Sequence, residues 1–377
     1  MQISSRKHIV IAGPAHPLRG GIAAFNERLA RALQDEGHRV SIYTFKFQYP
    51  AFLFPGKTQY STDPAPSELD IRVKIHSMNP FNWYQVGREL KHLRPDHLIL
   101  RFWIPFISPS LGKIGRIVKS NHHTRITGLL DNVIPHEKRP GDDLLIRYFI
   151  NSCDDFLSMS HQVTKDLRSF SEKPCRYSPH PVYDQYGEQV GKKEACEKLG
   201  LDPDGEYLLF FGLVRKYKGL DLLLEAFAAT HLAKSKFKLL VAGEFYEDPS
   251  MYNAIIEKYQ LQNRVILHSH FIPDHEVKYY FSASSLVAQT YRSATQSGIS
   301  QLAFQFEKPM LVTNVGGLGE IIVDGKTGFV TDIETEKIRA ALDLYSKEGL
   351  PAGFTEAIAA EKKKYSWTSF VSTLINN

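Results

Sequence analysis

The segment from residue 290 to residue 328 carries residue types and spacings that suit a phosphorylated ligand. Ser297 and Gly298 stand at the start of a helical pattern, where the first backbone N–H groups of a helix lack partners and carry partial positive charge. Small side chains at that position allow a phosphate to come close to the backbone. Gly316 and Gly317 follow the apolar run 310–313 and predict a second loop of close approach. The segment therefore predicts an anion site at the carboxyl ends of parallel strands.

Two further segments carry chemistry that suits phosphate. Gly20 and Gly21 lie between a predicted strand and a predicted helix, where a missing Cβ lets backbone N–H groups reach an anion. They do not form a dinucleotide fingerprint, because the required spacing and the ribose-binding acid are absent. Arg215 and Lys218, in FFGLVRKYKG, follow an apolar strand and could neutralise charge on a departing diphosphate. Simpler interpretations are a tight turn for the glycines and solvated charges for the cations, although cations are unfavourable at a helix start.

Length and composition indicate a globular protein of two domains. The 377 residues exceed what one hydrophobic core usually serves, and 43% of them are hydrophobic. No apolar run approaches the length of a membrane-spanning helix, and the amino terminus lacks the apolar core of a signal peptide. Cys153, Cys175 and Cys196 match no metal-binding or disulfide pattern. We therefore expect a cytoplasmic protein.

The charge is distributed unevenly along the chain. Residues 1–180 hold 25 Lys and Arg against 16 Asp and Glu, whereas the remainder holds 21 against 25. The helix predicted at 110–123 has an apolar face and, on its other side, a basic face formed by Lys113, Arg116 and Lys119. This pattern is typical either of a core-packed helix with a solvated face or of peripheral contact with the inner face of a membrane. Nucleic acid is not an expected partner, because no basic motif interleaved with aromatic residues is present.

Strand and helix patterns alternate in both halves of the chain. Predicted strands cover 8–12, 40–43, 97–102 and 125–130 in the first half and 207–212, 237–242, 265–268, 286–289 and 310–313 in the second. Alternating strands and helices with short turns predict doubly wound parallel sheets. A proline-rich hinge at 178–183 separates the halves. We expect Rossmann-like domains at 1–180 and 181–361, facing a cleft, with a terminal amphipathic helix within 362–377.

The ordered set of motifs resembles the retaining glycosyltransferases of family 4. The segments that carry the resemblance are EGHRV, FFGLVRKYKGLDLLLEAF, VAGEF and VGGLGEIIVDGKTGFV, and they extend over nearly the whole chain. The resemblance implies the GT-B fold, in which the C-terminal helix crosses back onto the first domain. It also implies that the second domain binds a nucleotide sugar, that the first binds the acceptor, and that no metal is needed. The D-x-D spacing at Asp202 and Asp204 lies in a turn pattern, which favours a structural role there.

The resemblance assigns roles to individual residues. Arg215 and Lys218 would hold the donor diphosphate, and the backbone of Ser297, Gly298 and Ile299 would cap a phosphate. The remaining assignments are Gly20 and Gly21 to the phosphate from the first domain, Gly243, Glu244, Phe271 and Ile272 to the base pocket, and Asp131, Asn132 and His136 to the sugar. Asp131 and Asn132 are also ordinary turn formers, and His136 could simply cap a polar loop. Glu320 is either a donor contact or a favourable acid in a first helical turn.

The chain departs from the family pattern in its donor-sugar residues. Most relatives carry two glutamates eight positions apart, and the corresponding residues here are Ala294 and Leu302. Neither side chain can form a hydrogen bond, so recognition of the donor sugar must differ, with Gln296, Ser297 or Gln301 as substitutes. The arginine of the usual motif is also displaced, since Leu213 takes its place and Arg215 follows two residues later.

These observations favour an enzyme of glycan synthesis. The expected reaction transfers a sugar, with retention, from a nucleoside diphosphate sugar to a hydroxyl of a glycan or a lipid-linked saccharide. Closing two domains on both substrates and placing positive charge near the leaving diphosphate would supply the rate. One alternative is a nucleotide-sugar epimerase, which would need clustered acid and base side chains. The other is a non-catalytic nucleotide-sugar binding module, suggested by the missing glutamates.

Overall fold

The computed structural model describes residues 6–50, 58–61, 64–135, 138–231, 236–294, 297–348 and 353–375. Two candidate residues from the sequence, His136 and Gln296, lie outside these ranges. Contacts divide the chain into two compact units, one of Met1–His180 with Trp367–Asn377 and the other of Pro181–Ser366.

The first unit is built on a parallel sheet. Seven strands of its described residues pair in the order β3-β2-β1-β4-β5-β6-β7. They are β1 (His8–Ala12), β2 (Arg39–Phe47), β3 (Asp70–His76), β4 (His97–Phe102), β5 (Arg125–Leu130), β6 (Asp155–Ser158) and β7 (Cys175–Tyr177). The connecting helices are α1 (Gly21–Asp35), α2 (Pro80–Leu93), α3 (Ser108–Lys119), α4 (Asp142–Ile150) and α5 (His161–Arg168). The central strand β4 is buried along its whole length, as expected for a sheet that helices cover on both faces.

The second unit repeats this architecture. In the part of this unit that the structure describes, six strands pair in parallel in the order β10-β9-β8-β11-β12-β13. They are β8 (Glu206–Phe211), β9 (Phe237–Ala242), β10 (Val265–His268), β11 (Leu286–Gln289), β12 (Met310–Thr313) and β13 (Gly328–Thr331). The helices are α6 (Lys192–Leu199), α7 (Leu220–Ala229), α8 (Ser250–Lys258), α9 (Val277–Ala283), α10 (Gly298–Gln305), α11 (Leu318–Ile321), α12 (Thr335–Glu348) and α13 (Phe354–Lys362).

The last helix, α14 (Trp367–Ile375), belongs to the first unit. Its Trp367 ring packs against Phe25 of α1, with ring centroids 5.1 Å apart. The guanidinium of Arg176 donates to the carbonyl oxygens of Thr373 and Leu374 at 2.9 and 3.1 Å. These bonds satisfy carbonyls that the last turn of a helix leaves unpaired. The prediction that the C-terminal helix returns to the first domain is therefore confirmed.

The predicted fold class is confirmed, with four strands that the sequence patterns did not reveal. The strands β3, β6, β7 and β13 were not predicted. Those at the sheet edges, β3, β7 and β13, have partly exposed residues, so their apolar patterns are weak, and β6 and β7 are only four and three residues long. The strands with continuous apolar runs, such as β1 and β8, lie at the centres of the two sheets.

Candidate functional site

Two glycines bring the ends of neighbouring strands together in the second unit. Gly212 follows β8 with φ +96°, and Gly243 follows β9 with φ +148°. A Cβ on Gly243 would stand 2.0 Å from the carbonyl oxygen of Gly212, so only glycine fits there. Beyond the glycines the loops stay paired, since the N–H of Val214 donates to the carbonyl of Glu244 at 2.9 Å. The loops after β8 and β9 therefore pack backbone against backbone at the carboxyl edge of the sheet, the edge at which ligands bind in open α/β sheets.

Lys218 is a buried cation at this edge. The residue is 9% exposed, and its Nζ lies 5.5 Å from the ring centroid of Tyr291. Nζ is also 3.4 Å from the point where a Cβ of Gly212 would stand. Burial lowers the pKa of Lys218, and the charge of Arg215 lowers it further. No carboxylate of the described residues forms an ion pair with this ammonium. Since an unpaired buried charge is unfavourable, this environment is suited to a bound anion.

A polar clamp holds the loop that carries Lys218. The guanidinium of Arg292 donates to both carboxylate oxygens of Asp221 at 2.7 Å, and to the carbonyl of Lys216 at 3.0 Å. Thr290 donates through Oγ1 to the carbonyl of Gly219 at 2.8 Å. Gly219 has φ +65°, and a Cβ there would stand 2.0 Å from the carbonyl oxygen of Thr290. The segment after β11 thus fixes the loop after β8 through both backbone and side-chain contacts.

The start of α10 lies against the same point. Its N-cap residue, Ser297, accepts a hydrogen bond at Oγ from the N–H of Ile299 at 3.2 Å. A Cβ on Gly298 would stand 2.8 Å from the ring of Tyr183, so glycine allows close packing there. The side chain of Ile299 lies 3.2 Å from the position of a Gly212 Cβ, the same position that Lys218 approaches. Three segments that the sequence singled out separately, at residues 212, 218 and 297–299, are therefore neighbours.

The other predicted residues of the second unit range from buried to exposed. Arg215 is exposed, and its guanidinium carbon lies 5.8 Å from the ring centroid of Tyr246. Glu244 is 4% exposed beside Gly243, and Ile272 is buried in the segment after β10 with half-buried Phe271 before it. Glu320 is an exposed acid in the first turn of α11, as its simpler interpretation requires.

The positions of the missing glutamates belong to the interior. Ala294 is 8% exposed and Leu302 is 4% exposed, which suits their apolar side chains. Of the substitutes that the sequence suggested, Gln301 is 1% exposed, and its Oε1 has no hydrogen-bond partner. Ser297 is committed to capping α10. Gln301 therefore offers almost no surface to a donor sugar in this conformation.

In the first unit, the glycine pair opens α1. Gly20 is the N-cap, with φ +111° and ψ 170°, a conformation that is open essentially to glycine alone. The helix begins at Gly21 without a side-chain cap and without an acid in its first turn. The first turn therefore carries no acidic side chain of its own, which is compatible with the predicted anion role.

Asp131 is not an isolated carboxylate. Arg101, at the end of β4, donates through Nε and Nη2 to the two oxygens of Asp131 at 2.6 and 2.5 Å. The guanidinium carbon lies 4.1 Å from the ring centroid of Phe25, and Arg101 is 1% exposed. Burial raises the pKa of Asp131, and Arg101 opposes that shift. Asn132, the next residue, is half-buried. The sequence analysis did not identify Arg101, although an arginine within the apolar run HLILRF was the available signal.

The predicted turn at Asp202 is confirmed. The N–H of Asp204 donates to Oδ1 of Asp202 at 3.0 Å, and the N–H of Gly205 donates to the carbonyl oxygen of Asp202 at 3.1 Å.

Across the described ranges, no group of three or more His, Cys, Asp or Glu side chains could hold a metal ion. No helix among those residues is both long and apolar enough to cross a membrane.

Comparison with known families places both units in one class of enzyme. Residues 19–185 match the family model "Glycosyltransferase Family 4", and residues 191–362 match the model "Glycosyl transferases group 1". The two matches together include both glycine loops, Lys218 and the start of α10. The chain is therefore a glycosyltransferase with the GT-B fold.

Individual relatives agree with this class. The chain is 25% identical to the D-inositol 3-phosphate glycosyltransferase of Thermobifida fusca over 83% of its own length and 77% of that protein. It is 30% identical to the enzyme of the same name from Rhodococcus jostii, over 48% of this chain and only 42% of that relative. A lipopolysaccharide 1,2-N-acetylglucosaminetransferase of Salmonella typhimurium is 26% identical over 35% of this chain and 36% of that enzyme.

Solved structures share the fold over almost the whole chain. Sucrose-phosphate synthase from Thermosynechococcus elongatus superposes with a TM-score of 0.74 at 16% identity, covering 98% of this chain and 97% of that one. The Anabaena protein Alr3699/HepE, solved in complex with UDP and glucose, gives a TM-score of 0.74 at 14% identity, with 98% and 99% covered. At these identities the likeness establishes the fold alone.

Proposed function

We propose that this glycosyltransferase transfers a sugar from a nucleoside diphosphate sugar to a hydroxyl of a glycan or a lipid-linked saccharide. The observation that carries the proposal is the environment of Lys218, a buried ammonium with no acidic partner among the described residues. It faces Gly212 and the start of α10, so a diphosphate at that point would meet an ammonium, backbone N–H groups and a helix N-terminus. HepE, which shares the fold, was solved with UDP and with UDP-glucose, and this supports a uridine nucleotide as the first donor to test.

The chemistry follows from where charge develops. As the bond between the sugar and the diphosphate breaks, negative charge grows on the leaving phosphate oxygens. Fixed positive charge at that position stabilises the transition state more than the ground state. Lys218 supplies this charge from a rigid loop, and Arg215, which is exposed nearby in sequence, supplies a second cation. Because the protein itself provides the positive charge, the proposed reaction needs no metal ion.

The proposed stereochemical course is retention. In this course the acceptor hydroxyl attacks the face of the sugar from which the diphosphate leaves. The alternative route to retention, through a covalent glycosyl-enzyme, needs a carboxylate at the sugar. Ala294 and Leu302 are apolar, and the carboxylate of Asp131 is held by Arg101. Donor-sugar recognition then falls to other polar residues of the 290–298 segment, and Gln296 is the residue proposed for it.

The test begins with a panel of UDP-, GDP- and ADP-sugars and a mixture of cell-envelope acceptors, with released nucleotide as the readout. We expect release with one donor class and the same anomeric configuration in donor and product by NMR. Lys218→Met should abolish most of this release. Lys216→Met, which removes a neighbouring exposed cation, should leave it within about twofold. The proposal fails if no donor gives nucleotide release and calorimetry detects no nucleotide binding.

A non-catalytic binding module remains the second candidate, because both glutamate positions are apolar and buried. It predicts nucleotide-sugar binding without turnover for every acceptor offered. Lys218→Met would then weaken binding, and there would be no reaction for it to slow.

A further inference from the structure

A surface groove on the first unit concentrates positive charge between α2 and α3. Its volume is about 430 Å³. We call it the cationic groove and define it by Tyr84, Arg88, Lys91, His92, Lys113 and Arg116. None of these residues belongs to the candidate donor site, which lies in the other unit. The function proposed above therefore does not account for the groove.

The sequence builds the groove from two helix faces. Tyr84, Arg88 and Lys91 are four and three residues apart, so they share one face of α2. Lys113 and Arg116 share a face of α3, whereas Leu111, Ile114 and Val118 are fully buried on its other side. The predicted core packing of this helix is thus confirmed for those three residues. The helices touch where a Cβ on Gly87 would stand 2.8 Å from the side chain of Ile117, and this contact forms the floor of the groove.

The charges in the groove lack acidic partners. Arg88, Lys91 and Lys113 form no ion pair with any described residue. Their neighbours behave differently, since Lys119 pairs with Asp154 at 2.5 Å. Arg116 is fixed in place, because its guanidinium carbon lies 3.7 Å from the ring centroid of Tyr148 and Nη2 donates to the Tyr148 carbonyl at 2.7 Å. Clustered cations without carboxylates repel one another, and an anionic ligand would relieve that repulsion.

Exposed apolar side chains lie at the start of α2, the helix that forms one side of the groove. Phe81 is 83% exposed, the highest value among the described large hydrophobic residues, and Met78 is 53% exposed. Phe81 precedes Tyr84 by three residues and Arg88 by seven, so all three lie along one side of α2. An exposed phenyl ring does not contribute to the binding of a phosphate dissolved in water. At the surface of a bilayer, the ring enters the boundary below the headgroups while the cations meet lipid phosphates.

We propose that the cationic groove docks this glycosyltransferase on the surface of an anionic lipid bilayer. Lipid phosphates enter the groove between Arg88, Lys91 and Lys113, and Phe81 inserts beside them. The inference goes beyond the proposed function, because docking requires neither donor nor acceptor. The two can therefore fail independently.

The test is co-sedimentation of the full chain with two kinds of vesicle, phosphatidylcholine alone and phosphatidylcholine mixed with phosphatidylglycerol. We expect binding to the anionic vesicles only, weakening as salt is added. Each groove cation should contribute about fivefold to the partition coefficient, so changing Arg88, Lys91 and Lys113 together to Gln should reduce it about hundredfold. The matched control changes Lys193, Lys198 and Lys326 to Gln, three exposed lysines of the second unit, and should change it by less than about twofold.

Two further arms separate a lipid surface from other anions. Phe81→Ser should weaken vesicle binding about tenfold while leaving its salt dependence unchanged, because burying a phenyl ring is a hydrophobic contribution. The circular-dichroism spectrum and the urea midpoint of the groove triple variant should equal those of the wild type, which shows that the unit carrying the groove is folded. The proposal is overturned if the control variant loses as much vesicle binding as the groove variant. It is also overturned if inorganic pyrophosphate or dextran sulfate occupies the groove while wild-type protein stays off the anionic vesicles.

Discussion

Among the described residues, each unit has a buried cation at the carboxyl edge of its sheet, Arg101 in the first and Lys218 in the second. The two differ in whether a carboxylate balances their charge. Arg101, at the end of β4, has Asp131 within 2.6 Å. Lys218, in the loop after β8, has an aromatic ring and apolar neighbours but no carboxylate among the described residues. A buried charge needs a counter-charge. Asp131 provides it for Arg101, so that pair is part of the fold. No described residue provides it for Lys218, and we propose that the substrate diphosphate does.

The same contrast separates the roles of Asp131 and Lys218. Two charge-assisted hydrogen bonds from Arg101 orient the Asp131 carboxylate and oppose the rise in its pKa that burial causes. Its oxygens point at Arg101, so the residue can orient its neighbours but is poorly placed to attack a sugar. We propose that Asp131 acts through Arg101 as a positioning residue, in place of the catalytic role predicted from the sequence, and that Lys218 touches substrate.

The largest expected effect comes from breaking the internally compensated pair. Arg101→Met leaves the buried carboxylate of Asp131 without its partner, and the free energy of unfolding should fall by about 3–5 kcal/mol. Urea denaturation followed by circular dichroism measures this change. Arg88→Met, at an exposed site on the same unit, should stay within about 0.5 kcal/mol. Adding Asp131→Leu to Arg101→Met should restore part of the loss, and equal losses for both arginines would contradict the comparison.

Removing the Lys218 ammonium should weaken UDP binding without lowering the free energy of unfolding. Lys218→Met removes a charge-assisted contact to the diphosphate worth about 1.5–3 kcal/mol, so UDP should bind about 10- to 100-fold more weakly. The unfolding free energy should stay level or rise, because the variant no longer buries an unpaired ammonium. Isothermal calorimetry and urea denaturation on one preparation measure both. A variant that loses stability without losing UDP affinity would assign Lys218 a structural role.

The lowered pKa of Lys218 makes both the free energy of unfolding and UDP binding depend on pH. Burial lowers its pKa in the folded state, so between that value and the ordinary value of 10.5 the unfolded chain binds more protons than the folded one. The contribution of Lys218 to stability therefore increases as pH rises through this window. UDP binding, which needs the ammonium, should weaken over the same range. The difference between wild type and Lys218→Met in each quantity, measured across alkaline pH, isolates this lysine, and identical profiles for both proteins would contradict the assignment.

The glycines at the starts of α1 and α10 allow a third comparison. Gly20 has φ +111° with nothing within 4 Å of a Cβ, whereas Gly298 has ordinary backbone geometry but a crowded Cβ position beside Tyr183. Gly20→Ala should therefore lower the unfolding free energy by about 1–3 kcal/mol through backbone strain alone. Gly298→Ala instead brings a Cβ against the ring of Tyr183. In a Tyr183→Leu background it should therefore lower the unfolding free energy less, whereas the loss caused by Gly20→Ala should be unchanged. Thermal unfolding of the three single variants and of the two double variants with Tyr183→Leu measures this, and a shared response to Tyr183→Leu would refute the distinction.

The sequence predicted much of the fold because the central strands are continuous apolar runs. Strands β1, β4 and β8 are each buried on both faces, and helix patterns follow them at short intervals. The local glycine and lysine motifs also picked out segments that the fold brings together at residues 212, 218 and 297–299, although their role in ligand binding stays a prediction. The pairing of side chains across strands could not be predicted in the same way. Arg101 and Asp131 are 30 positions apart, and the contact depends on the register between β4 and β5, which no local pattern encodes.

The smallest expected effect concerns the clamp on the Lys218 loop, which sequence reasoning also missed. Arg292 and Asp221 are 71 positions apart and meet because β8 and β11 are neighbours in the sheet. The pair does not touch Lys218, so its effect on binding must pass through the position of the loop. Arg292→Lys keeps the charge but loses the two-pronged contact and should weaken UDP binding by about threefold to tenfold. Arg339→Lys, at a comparable arginine on α12 that bonds Glu336 and Asp343, is the matched control and should leave UDP binding unchanged.

A double-mutant cycle decides whether the clamp acts as one unit. Asp221→Asn alone should weaken UDP binding about as much as Arg292→Lys, and the double variant should be little worse than either, because each change breaks the same contact. Additive losses would mean that the two residues affect the nucleotide separately. Turnover at saturating donor should change less than the donor KM, since the clamp positions Lys218 without itself meeting the charge that develops on the diphosphate. A loss confined to turnover would place Arg292 in contact with the reacting groups and make it, like Lys218, a cation whose partner is the substrate.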